Sequence, residues 1–366
     1  MLPQAGVQSV CLNMIVKNEA RVIKRCFDSV RSLLTHWVIV DTGSTDGTQE
    51  LIRRELAGIP GELHERPWKN FGHNRTEALR LAEGTAEYLL IMDADEELEL
   101  PPAFVWPELV ADQYRLLHRH RASPETAWEL GSLVKQSLPW RYEGVLHEVI
   151  VCDAPHRALS LDGPVVWGHF DSARNADPRA KYAEDARVLE AALVAEPANA
   201  RYVFYLAQSY RDCGKLEQAV AVYERRVALG GWGEEVYFAQ CQVGTLGQRL
   251  GWDWSRVLTA YLRAYELRRS RAESLWACAA HYRVTEEWGL AELFARAALA
   301  IPRPPDILFV DDAVYTWRAL DELAIATYYV GKRDESRALN ERLLNEGHLP
   351  ASERARVVQN LAFSRR

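Results

Sequence analysis

Two aspartates stand two residues apart in Asp93-Ala94-Asp95, directly after the apolar run Tyr88-Leu89-Leu90-Ile91-Met92. Carboxylates at that spacing and at a strand end can jointly hold a hard divalent cation, Mg2+ or Mn2+. They also leave coordination positions open for a diphosphate. A cation placed there neutralises charge on a phosphate leaving group as a Lewis acid. Taken alone, Asp-x-Asp is a weak signal, and the acidic run at 93–97 fits a solvated turn. Asp41 ends a second apolar run, His36-Trp37-Val38-Ile39-Val40, and Thr42-Gly43-Ser44-Thr45-Asp46-Gly47-Thr48 follows it. A carboxylate in that place can accept hydrogen bonds from a base N–H or a ribose hydroxyl, whereas Thr45 or Asp46 suits a helix N-cap. Arg75, beside Asn74, opens the helix that precedes 88–92. A helix N-terminus with a guanidinium is a diphosphate site in principle; an exposed helical arginine is the plain alternative. His147-Glu148 has Val151 where a zinc protease of the His-Glu-x-x-His type needs its second histidine, so that chemistry falls away. What remains is a histidine able to ligate a metal and a glutamate able to deprotonate a nucleophile. His169 and Asp171 offer the same pair of types again.

The elements that position these groups alternate. Strands are expected at 9–16, 36–40, 62–65 and 88–92, with helices at 18–34, from 48, and at 71–83 closed by Gly84. Strands alternating with helices imply βαβ units and a mostly parallel sheet. Ligands of such sheets bind beyond the carboxyl ends of the strands. Lys17, Asp41 and Asp93/Asp95 all follow strand ends, so three signals converge on one rim. Strands at 113–120, 140–151 and 164–170 complete a mixed sheet. From about residue 179 the pattern is helical throughout. Leu206-Ala207 with Tyr210, then Ala219 with Tyr223, follow the interlocking of small and large residues in a helix–turn–helix repeat of about 34 residues. Phe294, Ala297 and Pro302 match again, as do Leu323-Ala324 with Gly331, and 237–270 reads as a degenerate unit. Three to four repeats are expected, and the domains divide as 1–175 and 176–366.

Composition narrows the classes. The chain has 366 residues, 48% hydrophobic and 26% charged, with Lys+Arg 44 against Asp+Glu 51 and a net charge of −7. A mildly acidic chain is a poor general binder of nucleic acid, which needs a basic face. The six cysteines include no Cys-x-x-Cys pair and read as buried free thiols of a reducing compartment. No apolar run approaches the length of a membrane span, and residues 1–17 lack the plan of a secretory leader. A cytoplasmic location is the expectation. Neither Gly-x-x-x-x-Gly-Lys-Ser/Thr nor Gly-x-Gly-x-x-Gly is present in the strand–helix turns, which disfavours P-loop and dinucleotide readings.

Three segments in this order, Leu12-Asn13-Met14-Ile15-Val16-Lys17-Asn18-Glu19, Val40-Asp41-Thr42-Gly43-Ser44-Thr45-Asp46-Gly47-Thr48 and Leu90-Ile91-Met92-Asp93-Ala94-Asp95-Glu96, resemble family 2 glycosyltransferases of the GT-A fold. Pro67-Trp68 with Phe71-Gly72, and Gly144 with His147-Glu148, resemble the branch of lipopolysaccharide core glucosyltransferases. The helical tail, at 204–212 and 230–235, is similar to tetratricopeptide-bearing members, among them S-glycosyltransferases of bacteriocin peptides. The catalytic resemblance covers about 7–171. It implies an α/β GT-A domain, a Rossmann-like mixed sheet, followed by an all-α tetratricopeptide-like domain.

The resemblance also implies roles. Ile15, Val16, Lys17 and Glu19 would border the nucleoside, and Asp41 would hold its uracil or ribose side. Arg75 would contact the diphosphate, and Asp93-Ala94-Asp95 would hold ribose and metal, with His147 and His169 as further candidate ligands. Members of this family are mostly inverting, so the acceptor needs a base opposite the leaving nucleotide, the single-displacement geometry of inverting glycosidases. The Glu-Asp pair that many members carry at a helix start has no counterpart here, which leaves Glu148 as base and Asp171 second. The expected activity is metal-dependent transfer of a hexose from a nucleotide diphosphate sugar, UDP-linked, with Mn2+ or Mg2+. The acceptor would be a peptide, a saccharide or a lipid-linked group. The repeats would present the acceptor or mediate a homodimer. Two rival classes remain: a peptide-binding repeat scaffold with an inactive α/β half, and a sugar nucleotidyltransferase. The second usually opens with a Gly-rich triphosphate loop, and 13–21 contains no glycine. The 12 tryptophans divide six and six between the halves, with Trp68 and Trp232 the candidates for an acceptor site.

Overall fold

The computed structural model describes residues 8–365, without the side chains of 123–126. Residues 1–7, part of the stretch read for a leader, lie outside the described residues. Contacts divide the chain into two units, Met1–Ala192 and Leu193–Arg366.

The first unit is built on an eight-stranded mixed sheet of order β3-β2-β1-β4-β7-β6-β10-β5. Its parallel half consists of β1 (Val10–Val16), β2 (His36–Asp41), β3 (Gly61–Glu65) and β4 (Tyr88–Ile91). The connecting helices are α1 (Ile23–Val30), α2 (Thr48–Glu55) and α3 (Phe71–Leu81). β1 and β2 are almost wholly buried, as expected for central strands covered on both faces; Val10, Leu12, Val38 and Ile39 have no exposed surface. The register sets Val16 beside Asp41 and Asn13 beside Ile91. The carboxyl ends of β1, β2 and β4 therefore share one edge.

Helix formation at 18–34 begins later than periodicity suggests, at Ile23. Asn18 takes a left-handed φ of 58°, and the amides of Asn18, Glu19 and Ala20 bond to Ser44 Oγ, Thr48 Oγ1 and Asp46 Oδ2 at 2.8, 2.8 and 3.0 Å. In return the Asn18 amide oxygen accepts the Thr45 N–H at 2.8 Å. The loop after β1 is thus stitched to the loop after β2 by side chains, and its amides are spent there instead of on a helix. Gly47, not Thr45 or Asp46, holds the N-cap position of α2; Asp46 Oδ1 reaches past it to the Thr48 N–H.

The other half of the sheet departs further from expectation. β5 (Glu96–Glu99) and β7 (Ser123–Lys135) join β6 (Gln113–His120) and β10 (Ala158–Gly168), and β10 carries a register shift between Ser160 and Val165. The single strand expected at 140–151 is a hairpin of β8 (Arg141–Glu143) and β9 (Val149–Val151), reversed through Gly144 at φ 114° and His147 at φ 51°. That hairpin lies on α3. Tyr142 N–H donates to Thr76 Oγ1 at 2.9 Å, and a Cβ on Gly72 would fall 2.3 Å from the Gly144 carbonyl oxygen. Gly72 is required by this close approach rather than by its φ.

α4 (Pro178–Ala195) spans the division between the units. The second unit holds α5 (Ala200–Asp212), α6 (Leu216–Leu229), α7 (Gly233–Arg249), α8 (Trp254–Leu267), α9 (Glu273–Val284), α10 (Trp288–Leu299), α11 (Ala319–Tyr329), α12 (Arg333–Asn345) and α13 (Ala351–Ser364). Each helix packs on the next, with α5/α6, α7/α8, α9/α10 and α11/α12 forming four hairpin-like pairs and α13 closing the series. Ala207, Ala219 and Tyr223 are fully buried, as the small–large interlock requires. In α10 the buried small residues are Ala291, Ala295 and Ala298; Ala297, chosen from the repeat pattern, faces solvent. All six cysteines are free thiols. Among the described residues no helix is long and apolar enough to cross a membrane.

Replacing Gly72 by alanine forces α3 and the β8–β9 hairpin apart. Such overpacking should cost about 1–3 kcal/mol, read as a lowered melting temperature. An unchanged melt would show that the hairpin is not held by this contact.

Candidate functional site

The β4 end of the rim opens into a cleft of about 280 Å³, lined among others by Arg75, Asp93, Glu96, His147, Glu148 and Arg174. Arg75 lies in the second turn of α3, not at its start; the first turn is capped by Asn70, whose Oδ1 accepts the His73 N–H. Asn74 is fully buried and holds the preceding loop through the Lys69 N–H and the Pro67 carbonyl. Arg75 donates from Nε to Glu148 Oε1 at 2.6 Å and from Nη2 to Asp93 Oδ1 at 2.5 Å. Its side chain is only 12% exposed and that of Glu148 only 10%. Burial works against the guanidinium charge, but the charges of Asp93 and Glu148 outweigh it and raise its proton affinity further.

Carboxylates outnumber cations around it. Burial and then the neighbouring Asp93 charge push the Asp95 carboxyl above its ordinary range. Burial and then Asp95 push Glu19 up to about 7, and Glu19 Oε2 is buried without a hydrogen-bond partner. Such a set of hard oxygen donors with uncompensated negative charge suits a divalent cation. Among the described residues, however, no three His, Cys, Asp or Glu side chains converge into a metal cage. The four residues read as ligands are not gathered into one shell. His169 Nε2 is turned to Glu97 Oε2 at 2.9 Å, and His147 occupies the hairpin turn.

Asp41 has no exposed surface. Its Oδ1 accepts the Gly43 and Ser44 N–H groups, each at 2.8 Å, and Gln49 Nε2 at 3.2 Å. Its Oδ2 is left without a partner, an unmet acceptor at the end of β2. Ile15 and Val16 end β1, and Lys17 projects into solvent. Ala94 is buried between the two aspartates and contributes only backbone to the rim.

Asp171 sits elsewhere on the rim in a two-pronged pair with Arg25, at 2.9 and 2.7 Å. Hydrogen bonding to Arg25 lowers its proton affinity. Trp68 is 43% exposed and meets Phe71, a cleft residue, edge-on at 4.7 Å. Trp232 belongs to the second unit, where it is the N-cap residue of α7.

The sequence reading missed the segment after β10. Asn175 Nδ2 donates to Asp95 Oδ2 at 3.4 Å, Lys181 donates to Asn175 Oδ1 at 2.8 Å, and Arg174 lies over the Phe71 ring at 4.5 Å. Its only signal was a polar stretch between a strand and a helix. It also missed a buried chain in the cleft floor: Ser132 Oγ meets His118 Nε2 at 2.8 Å, His118 Nδ1 faces Glu96 at 3.5 Å, and Glu96 Oε2 accepts the Asp93 N–H at 2.8 Å. This chain fixes the backbone from which Asp93 projects.

Residues 11–111 match the glycosyl transferase family 2 model. A TPR repeat-containing protein of Synechococcus elongatus is 35% identical over 105 residues, 29% of this chain and 24% of its own length. The SPbeta prophage-derived glycosyltransferase SunS of Bacillus subtilis is 31% identical over 93 residues, 25% of this chain and 21% of its own. The lipopolysaccharide core biosynthesis glycosyltransferase LpsC of Rhizobium meliloti is 32% identical over 114 residues, 30% of this chain and 39% of its own. The matched part thus spans well under half the length of each of these relatives.

Because Glu19 binds its proton more tightly when folded, unfolding releases that proton between its ordinary 4.5 and about 7. Stability falls as pH rises through this window. Glu19→Gln should therefore leave the melting temperature unchanged near about pH 4 and raise it near about pH 8. A difference independent of pH would contradict the assigned environment.

Proposed function

We propose that the family 2 glycosyl transferase domain carried in the N-terminal unit is catalytically active and transfers a hexose from a nucleotide diphosphate sugar, UDP-linked, to a nucleophilic acceptor with inversion. One observation carries the reading. A single buried guanidinium, Arg75, stands between Asp93 and Glu148 at an edge where three parallel strands end. A charge-rich pocket at that edge is where such sheets bind nucleotides.

Asp41, through its unmet Oδ2, accepts an N–H of the base or a ribose hydroxyl, while Ile15, Val16, Lys17 and Glu19 border the nucleoside. Arg75 turns toward the diphosphate, exchanging carboxylate for phosphate oxygens in the two-pronged contact guanidinium favours. Asp93 and Asp95 are the residues that would hold Mn2+ or Mg2+, a pair that would leave coordination positions open for a diphosphate. When bound, the cation offsets charge on the leaving nucleotide. Glu148, once Arg75 has moved to phosphate, takes the proton from the attacking hydroxyl or thiol. The acceptor atom bonds to the anomeric carbon as the carbon–phosphate oxygen bond breaks. Trp68, on Phe71, offers an apolar surface for the acceptor, which is a peptide, a saccharide or a lipid-linked group.

The test is release of UDP from UDP-hexoses in the presence of Mn2+, comparing wild type with Asp95→Ala and Glu148→Gln. Loss of charge stabilisation worth several kcal/mol predicts a fall of about a hundredfold or more for Asp95→Ala. Glu148→Gln should keep donor affinity and lose turnover. Equal turnover in wild type and Asp95→Ala would sink the metal assignment, and unchanged turnover in Glu148→Gln would sink the base.

A further inference from the structure

Connections between the helices of the second unit use three to five residues, with one exception. Residues 300–311, after α10, form no helix or strand. A helix hairpin needs only a short turn, so the extra length serves some other end.

The way this segment is held is distinctive. Glu234 Oε2 accepts two consecutive backbone N–H groups, of Ile307 and Leu308, at 2.9 and 2.8 Å. Arg271 donates to two consecutive carbonyls, from Nη1 to Leu308 at 3.2 Å and from Nη2 to Phe309 at 3.0 Å. Phe309 meets the ring of Phe238 at 4.7 Å and that of Phe204 at 6.4 Å. Asp306 is buried in an ion pair with Arg268 and Arg271. The grips come from the first helices of successive pairs: Phe204 on α5, and Glu234 and Phe238 on α7. Arg271 stands just before α9.

Side chains that grip both the N–H and the C=O groups of a bent backbone, with one slot for an aromatic ring, read main chain more than sequence. That is recognition of a peptide through its main chain. Beyond the buried Asp306, the segment itself gains little as a core element. Ile307 is 76% exposed and Phe309 46%, and Phe309 is held at a φ of 46°, a conformation that disfavours bulky residues. By contrast the gripping groups are deeply buried, Arg271 at 1% exposure and Glu234 at 9%.

We propose that residues 306–309 are a resident ligand of a peptide-binding face formed by α5, α7 and the start of α9. A second polypeptide segment with an aromatic side chain displaces them and takes over the Glu234 and Arg271 contacts. The face is thereby closed until a competing chain arrives.

A labelled peptide of residues 303–312 tests this against the full chain and against a full chain whose residues 302–310 are replaced by a short Gly-Ser linker. The linker variant should bind the peptide at least about tenfold more tightly than wild type does, and a Phe309→Ala peptide should lose about tenfold or more of that affinity. A linker variant that melts cooperatively yet binds no better than wild type overturns the proposal. Should the linker variant not fold, hydrogen exchange of wild type decides. A displaceable segment requires the Ile307 and Leu308 amides to exchange at least about a hundredfold faster than those of Leu320 and Leu323 in α11. Equal protection makes the segment a fixed part of the core and contradicts the inference.

Discussion

One guanidinium organises the cleft. Arg75 faces Asp93 from the β4 end and Glu148 from the hairpin, and it is nearly sealed from solvent. A buried charge is tolerated only when paired and hydrogen-bonded, so both carboxylates are held where the guanidinium needs them. The reverse dependence is equally strict. Without Arg75, three acidic side chains would crowd one another: Asp93 and Asp95, and Glu148 from the hairpin. The surrounding structure serves this arrangement. Gly72 lets the hairpin settle on α3, Thr76 bonds to it, and Glu96 fixes the Asp93 backbone. The excess negative charge that remains, expressed in the raised Glu19 and Asp95 carboxyls, is the charge a cation would relieve.

Much of this was legible from residue order, and the rest was not for physical reasons. Buried parallel strands read as uninterrupted apolar runs, so β1, β2 and β4 and the polar residues that end them stood out. β5 did not, because it is Glu-Glu-Leu-Glu: only Leu98 enters the apolar core, and Glu96 and Glu97 are served by His118, His169 and Arg121. The β8–β9 reversal depends on His147 at positive φ, a cost no pattern announces. The late start of α1 depends on Ser44, Asp46 and Thr48, distant in sequence, capturing its amides. Likewise Asn175 reaches Asp95 across 80 positions. Groups at single strand ends are local facts; which carboxylate pairs with which cation is a tertiary one. Asp171 shows this: its type suited a base, and nothing near it in sequence announced its Arg25 partner, 146 positions away.

In the second unit the small–large interlock predicted helix pairs, and four pairs with a closing helix are present. The repeat pattern misplaced one position, Ala297, because in α10 the buried stripe runs through Ala291, Ala295 and Ala298. It gave no warning of the long connection after α10, whose residues are held by Glu234 of α7 and by Arg271, just before α9. Tryptophan, conspicuous in the composition, proved the least specific guide. Trp68 borders the cleft through Phe71, and Trp232 stands at the N-cap position of α7 without a side-chain cap bond.

The central claim is that the Arg75 cleft takes a metal-bridged nucleoside diphosphate. Thermal unfolding with UDP, Mn2+ and both together tests it most directly. The account predicts that UDP with Mn2+ stabilises the protein by about 2.7 kcal/mol at a hundredfold excess over Kd, that either alone does much less, and that Arg75→Gln loses most of the gain. No metal-dependent stabilisation in wild type, the behaviour of a repeat scaffold with an inactive α/β half, would contradict it.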